Sequence, residues 1–396
     1  ANLDGALTPP VYVVVAGETA TAGATFVRAV LPSLAPEGSP SKRALSGAGK
    51  RAGDALDRYA AWLRDDLMQR ARGSFAIGRD AFDALLREKE LLRYDAVSLK
   101  RWGEELYRET EGRLVAAARE LGDADWRASV ARLRLDHPAE DELVATYRME
   151  MERSRAATVA AGIVTLPDGE ALVVEAMPDF ARPTLPYAAY VQPAPFSTER
   201  VGRFWVTLPD PAEPEVIRRE RLTGHPRKGI PVIACHEGYP GHHVQLSTAA
   251  NAISPARKAF RSNVLIEGWG LYVEDLMTEL GYLDDPETRL LRLKDLLWRA
   301  ARVIVDVGLC TGEMSFEQAV AFLVDGPKLE RPNAVAECRR YTLNPLQPSS
   351  YALGRAAILD LRERARRAGL PLREFHDRLL AGGSLPPVLA AAEAGL

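Results

Sequence analysis

Three of the chain's six histidines fall within eight residues, in the run Cys235-His236-Glu237-Gly238-Tyr239-Pro240-Gly241-His242-His243. Imidazole nitrogens bind Zn2+ at about 2.0–2.1 Å, and a catalytic zinc takes three protein ligands and leaves its fourth position to water. A carboxylate adjoining one ligand can accept that water's proton as it attacks a carbonyl. His236, Glu237 and a second imidazole therefore point to metal-assisted hydrolysis, with Glu237 as the base. The common helical form, His-Glu-x-x-His, puts both rings on one face. Here position 240 is proline. On a straight helix His236 and His243 stand about 10 Å apart along the axis, and His236 and His242 diverge by about 120°. Neither pair can hold one ion on a regular helix. Pro240 removes an intrahelical hydrogen bond, and Gly241 frees the backbone beside it. The expectation is a broken helix that folds a second imidazole over the first, and spacing leaves His242 and His243 as alternatives.

A third ligand should come from a neighbouring helix. Glu267 follows His242 by 25 residues and lies among Val264, Leu265, Ile266 and Trp269. A carboxylate buried in such a run needs a cation, so the expected ligands are His236, His242 (or His243) and Glu267. Glu274 and Asp275 have the chemistry to orient an imidazole, but the plainer expectation for both is a solvated helix face. His137, His225 and His376 stand alone among charged residues and are expected to be structural or exposed.

The elements that must carry these residues are mostly helical. Leu56, Tyr59, Leu63 and Leu67, then Trp102, Leu106, Leu114 and Ala118, then Leu143, Tyr147 and Met151 recur at helical spacing. Residues 33–54, rich in Pro, Ser, Gly and Lys, are expected to form a loop. Between residues 164 and 209 the periodicity shortens, and Ala171–Glu175, Tyr187–Val191 and Arg203–Leu208 are the expected strands. Helical spacing returns near Val232 and runs to the C-terminus, interrupted at Pro327–Pro332 and Asn344–Ser350. The fold class is mainly α with a small antiparallel β-sheet. Residues 1–160 form a helical part and 161–396 a catalytic part with the sheet and the metal-binding helices, together one continuous domain.

Composition narrows the partners. The 396 residues are 47% apolar and 27% charged, with a net charge of -3, and the pI is about 6.2. Nothing there favours nucleic acid or an anionic membrane surface, and no uncharged apolar run reaches the length of about 18 residues that a spanning helix needs. The first ten residues lack the basic and apolar regions of a secretory signal, and the chain does not start with Met, as a processed or truncated chain would not. Three cysteines do not make a disulfide framework, so a cytoplasmic, reducing location is expected. The sequence is silent on oligomeric state.

The motifs resemble those of the bacterial domain-of-unknown-function 885 family. Its His-Glu-x-x-Pro-Gly-His-His pattern matches His236–His243, and its Glu-Gly-Trp matches Glu267–Trp269. Further matches are Arg302–Gly308, Arg340-Tyr341, Pro345, Tyr351, Gly354-Arg355 and the stretch near Gly73–Gly78. The resemblance implies a gluzincin-like zinc hydrolase architecture akin to carboxypeptidases. It carries over Tyr341 and Tyr351 as donors to a developing oxyanion, and Arg340 and Arg355 as forks for a substrate carboxylate. It also implies that an exposed strand, for which Arg203–Leu208 is the candidate, binds extended peptide by strand addition. Two departures stand out: family members are longer at the N-terminus, and Cys310 stands where they carry His.

The resulting expectation is a Zn2+-dependent hydrolase that cleaves an amide bond in a peptide or peptide-like small molecule. Two alternatives remain at this point. Two histidines and a carboxylate also serve non-haem iron oxygenases, although Glu237 has no purpose there. A non-catalytic helical protein with a structural zinc would need four protein ligands, which His242 and His243 together would supply.

Overall fold

The computed structural model describes residues 3–178, 187–197, 199–252 and 254–396. The chain opens with α1 (Pro10–Thr25), extended by a π turn and a short helix to Ser33, and α2 (Pro40–Trp62) packs against it. The run Pro10–Ser33 is long and apolar enough, by length and composition alone, to cross a membrane, and 17% of its most apolar window is buried. The expected loop at 33–54 is instead largely α2. Ser39 caps this helix by accepting a hydrogen bond from the Lys42 amide at 3.0 Å. Its glycines mislead because they serve packing: a Cβ on Gly49 would lie 2.0 Å from the Val27 carbonyl oxygen. Close helix contact there offsets the roughly 1 kcal/mol that each helical glycine costs.

Two long helices form the spine beneath the site. α3 (Ala96–Glu120) starts with a reciprocal cap between Asp95 and Ser98 and crosses α7 (Pro286–Thr311). The crossing is tight at Gly103, where a Cβ would meet Val303 at 2.7 Å. Leu99, Val303, Val307 and Leu353 share one buried cluster there.

The sheet follows α4 (Leu143–Ala161) and has three strands: β1 (Ala171–Ala176), β2 (Ala188–Val191) and β3 (Val201–Val206). It is mixed rather than antiparallel. Its order is β1-β3-β2, with β3 parallel to β1 and antiparallel to β2. The strand expected to offer a free edge, Arg203–Leu208, corresponds to β3 and is central, bonded on both sides. The reason is burial: Phe204 and Val206 are fully covered, packing on Leu143, Tyr147 and Met151 of α4 and on Ile230 and Ala234 ahead of the histidines. The most buried strand takes the middle, which leaves β2 as an edge.

The remaining site helices are α5 (His242–Ala250), α6 (Asn263–Glu279), α8 (Arg331–Leu343) and α9 (Gln347–Arg367). α6 and α9 touch backbone to backbone: a Cβ on Gly268 would lie 2.3 Å from Gly354 Cα, and one on Gly354 would lie 1.7 Å from the Val264 carbonyl oxygen. Cys235, Cys310 and Cys338 are free and buried. His225 and His376 are buried structural groups: His225 meets the Tyr147 hydroxyl at 3.0 Å, and His376 bridges Tyr272 and the Ile163 carbonyl at 2.7 Å each.

Candidate metal centre

The helix entering the motif, Ile230–Ile233, widens into a π turn over Ala234–Gly238, closed by a hydrogen bond from the Tyr239 amide to the Ala234 carbonyl at 3.2 Å. Such single π turns recur at functional sites because they redirect one side chain out of helical register. The chain then reverses through Tyr239, a cis Pro240 and Gly241 before α5 begins. Gly241 is required by the reversal: a Cβ there would sit 1.9 Å from the His236 carbonyl oxygen. The break at Pro240 folds the His242 ring onto the His236 ring, with centroids 4.7 Å apart and planes at 88°.

Ligand atoms of His236, Glu237 and His242 lie within 4.8 Å of one another. Glu267 joins this group through His242, its Oε2 standing 3.3 Å from Nε2. Burial raises the Glu267 carboxyl, but the His242 hydrogen bond and the nearby His236 and Arg302 outweigh it and hold the group at about 2. Burial likewise works against protonation of His242, yet contact with Glu267 and the charge of Glu237 leave its pKa raised. His242 Nδ1 is buried with no hydrogen-bond partner among the described residues. Two imidazoles and two carboxylates that converge in one largely buried cluster are the donor set of a divalent metal, so these residues fit one.

His243 faces elsewhere. Its Nε2 lies 2.7 Å from Glu170 Oε2 and its Nδ1 3.0 Å from the Tyr190 hydroxyl. A Cβ on Gly202 would crowd the same ring at 2.6 Å. This histidine joins α5 to all three strands, since Glu170 immediately precedes β1, Tyr190 is on β2 and Gly202 on β3.

The face of α6 turned toward the motif carries Glu267, Gly270 and Glu274, spaced i, i+3 and i+7. Glu274 is no solvated residue: it is 1% exposed, and its Oε1 receives the His236 Nδ1 hydrogen at 2.8 Å. That assignment leaves Nε2 of His236 as the free lone pair. Gly270 makes room for the ring, as a Cβ there would lie 2.7 Å from Nε2. Trp269 ties the two motifs together by donating its indole hydrogen to the Pro240 carbonyl at 2.8 Å. Asp275 is buried too, paired with Arg292 at 2.6 Å and with Arg355.

From α9, Tyr351 stacks near His236, centroids 6.4 Å apart and planes at 21°, and burial pushes its hydroxyl pKa up. Gln347 reaches both Glu267 and the Tyr351 hydroxyl at 3.5 Å. Tyr341 is completely buried behind Arg302, donating to Glu337 at 2.6 Å and accepting from Arg302 Nε at 3.0 Å. Arg340 is taken up by Glu337 at 2.9 Å and by Gln347. The two arginines carried over as carboxylate forks are thus both held by acids of the chain, and Tyr341 lends its hydroxyl hydrogen to one. Asp306 anchors the start of α9 by accepting from the Leu346 and Ser349 amides at 3.2 and 3.3 Å and from the Ser349 hydroxyl at 2.5 Å. Burial pushes its carboxyl up to about 6. Cys310, the departure from the family pattern, donates its thiol to this carboxylate at 3.5 Å.

Sequence reasoning offered Glu274 as able to orient an imidazole but favoured a solvated face, although its i+7 spacing to Glu267 puts both on one side of the helix. Arg302 was marked only as part of the run Arg302–Gly308 that resembles the family, with no role attached. Gln347 was missed, and no local signal marks it.

A family model described as "Bacterial protein of unknown function (DUF885)" matches residues 5–393. No curated protein matches the chain. Two of the solved structures that share the fold are bacterial proteins. One is a candidate lipoprotein of unknown function from Shewanella oneidensis, with TM-score 0.80 and 23% identity over 97% of this chain and 73% of its own. The other is a candidate lipoprotein from Colwellia psychrerythraea, with TM-score 0.82 and 22% identity over 98% of this chain and 70% of its own.

Proposed function

The chain belongs to this bacterial family of unknown function, and from that premise we propose that it is a zinc-dependent hydrolase of gluzincin type that cleaves an amide bond in a peptide or peptide-like small molecule. The observation that carries this reading is the convergence of His236, Glu237 and His242 within 4.8 Å, with Glu274 fixing one imidazole and Glu267 against the other. His236, His242 and Glu267 would hold the ion. A bound Zn2+ supplies a water whose pKa falls to about 7 and polarises the scissile carbonyl. Glu237 takes the proton from the attacking water and returns it to the leaving amine. Tyr351 donates to the oxygen on which charge develops, and Gln347 orients its hydroxyl. Tyr341 supports Arg302 beside it. β2, an edge strand whose Tyr190 reaches His243, is the place for an extended peptide to add.

A structural zinc requires a fourth protein ligand, and both ring nitrogens of His243 are already bonded to Glu170 and Tyr190. Nothing observed favours iron chemistry. For location, the three free cysteines support the cytoplasmic reading, while the description of both neighbours as lipoproteins points outside the cytoplasm. Cell fractionation decides between the two.

Elemental analysis of the purified protein and of His236→Ala and Glu267→Ala tests the reading. Near-stoichiometric zinc that is lost in both variants, with peptide cleavage abolished in Glu237→Gln, is the expected result. A folded wild type that binds no divalent metal sinks it.

A further inference from the structure

α9 begins without a cap of its own. Leu346 stands at its N-cap with no side-chain hydrogen bond to give, and Pro348 in its first turn has no amide hydrogen. The opening amides of a helix lack intrahelical acceptors and take them from elsewhere. Here Asp306 of α7 supplies two: its Oδ1 accepts from the Leu346 amide at 3.2 Å and its Oδ2 from the Ser349 amide at 3.3 Å. The Ser349 hydroxyl adds a bond of 2.5 Å to Oδ2. Leu346 is held at φ 72°, a left-handed conformation that a bulky residue keeps only where its surroundings impose it.

A side-chain cap at position 346 would be the simpler device, since Ser, Thr, Asp or Asn there could serve these amides from within the helix. The carboxylate used instead is fully buried, and burying one without a cation is expensive. Arg302, one turn earlier on α7, is turned to Tyr341 and Glu337. Besides the first turn of α9, Asp306 meets the Cys310 thiol of its own helix at 3.5 Å. The arrangement ties that turn to α7, and the turn leads into the site. Gln347 reaches Glu267 and the Tyr351 hydroxyl at 3.5 Å each, and Tyr351 stands 6.4 Å from the His236 ring. Farther along, α9 is clamped to α6 at Gly354, where a Cβ would lie 1.7 Å from the Val264 carbonyl oxygen. Loss of the cap is therefore felt between Leu346 and Tyr351 and stops short of Gly354.

We propose that Asp306 is a positioning residue: by capping α9 from α7 it sets Gln347 against Glu267 and Tyr351 against His236. It touches neither substrate nor metal and acts through the turn that it holds. The consequence for turnover rests on the hydrolase reading; the placing of Gln347 and Tyr351 does not.

Two measurements separate the claims. Asp306→Asn keeps the shape but turns an amide donor toward one of the two helix amides. Hydrogen exchange of the purified protein should then be about 3–30-fold faster in residues 346–353 and unchanged in residues 355–367. Ser349→Ala, which removes only the hydroxyl bond, is the milder variant if Asp306→Asn does not fold, and should speed exchange of 346–353 about twofold or more. Turnover is compared on the pentapeptide that the zinc-loaded wild type cleaves fastest in an N-acetylated library. There kcat should fall at least about tenfold, with KM within about twofold and zinc content unchanged. Local opening in a protein that cleaves no peptide supports the positioning and removes the hydrolase reading. Exchange as in wild type, exchange that rises evenly along the whole chain, or local opening with kcat unchanged overturns the proposal and leaves the hydrolase reading standing on its own test.

Discussion

Nδ1 of His236 and Oε1 of Glu274 lie 2.8 Å apart, both residues almost wholly buried, on two helices 38 positions apart in sequence. The bond sets which nitrogen of His236 is free, and so which face of the ring meets an ion. Replacing such a carboxylate partner typically costs 10–100-fold in metal affinity. Glu274→Gln should therefore bind zinc about 10–100-fold more weakly in a chelator competition while remaining folded. Unchanged affinity would show that His236 is oriented by its packing alone.

The adjacent histidines should separate cleanly. His242→Ala removes a metal ligand and should lose zinc with a modest change in melting temperature. His243→Ala should keep zinc but destabilise the protein by about 1–3 kcal/mol, because Glu170 and Tyr190 each lose a buried partner. Thermal melts paired with metal content check this. Loss of zinc in His243→Ala with full retention in His242→Ala would reverse the two assignments.

The glycines of the second motif have different duties. Gly268→Ala forces a Cβ to within 2.3 Å of Gly354 Cα, and such overpacking costs about 1–3 kcal/mol. Gly270→Ala drives a Cβ against His236, so its main effect should be on zinc affinity. Gly112, in α3 with nothing within 4 Å of a built Cβ, is the control, and Gly112→Ala should stabilise by about 0.4–1 kcal/mol. Equal melting temperatures for Gly268→Ala and Gly112→Ala would contradict the close crossing of α6 and α9.

Acid stability should report Glu170. Burial raises its carboxyl, but His243, Tyr239 and Arg155 outweigh that and hold it at about 2, against an ordinary value of 4.5. A depressed acid contributes stability that is complete above its unfolded pKa and lost as pH falls through the folded one. That contribution is at most about 3 kcal/mol, and less in practice because Arg155 is half exposed and screened. Glu170→Gln should be less stable than wild type at pH 7, with the gap closing between about pH 5 and pH 2. Chemical denaturation across that range measures it, and a gap independent of pH would mean the ionised pair adds nothing.

Much of the site was legible in the chain because its signals are local. Pro240 and Gly241 announce a helix break whatever surrounds them, since one lacks an amide hydrogen and the other a Cβ. Glu267 was identifiable because a carboxylate in an apolar run needs a cation. The glycines of α2 misled for the opposite reason: composition cannot distinguish a flexible loop from a helix whose neighbour comes too close for a side chain. β3 was misplaced at the sheet edge because strand order depends on which faces other elements cover.

Residue types and spacing by themselves determined that this chain is mainly helical and that His236, Glu237 and Glu267 are candidates for one site. Tertiary structure alone decided that His242 rather than His243 faces His236, that Glu274 and Asp275 are buried partners, and that Arg340 and Arg355 are paired within the chain. The physical reason is that a ring or carboxylate takes its partner from whatever lies within about 3 Å. Glu170, just ahead of β1, Tyr190 of β2 and Gly202 of β3, which together claim His243, meet only when the sheet closes against α5.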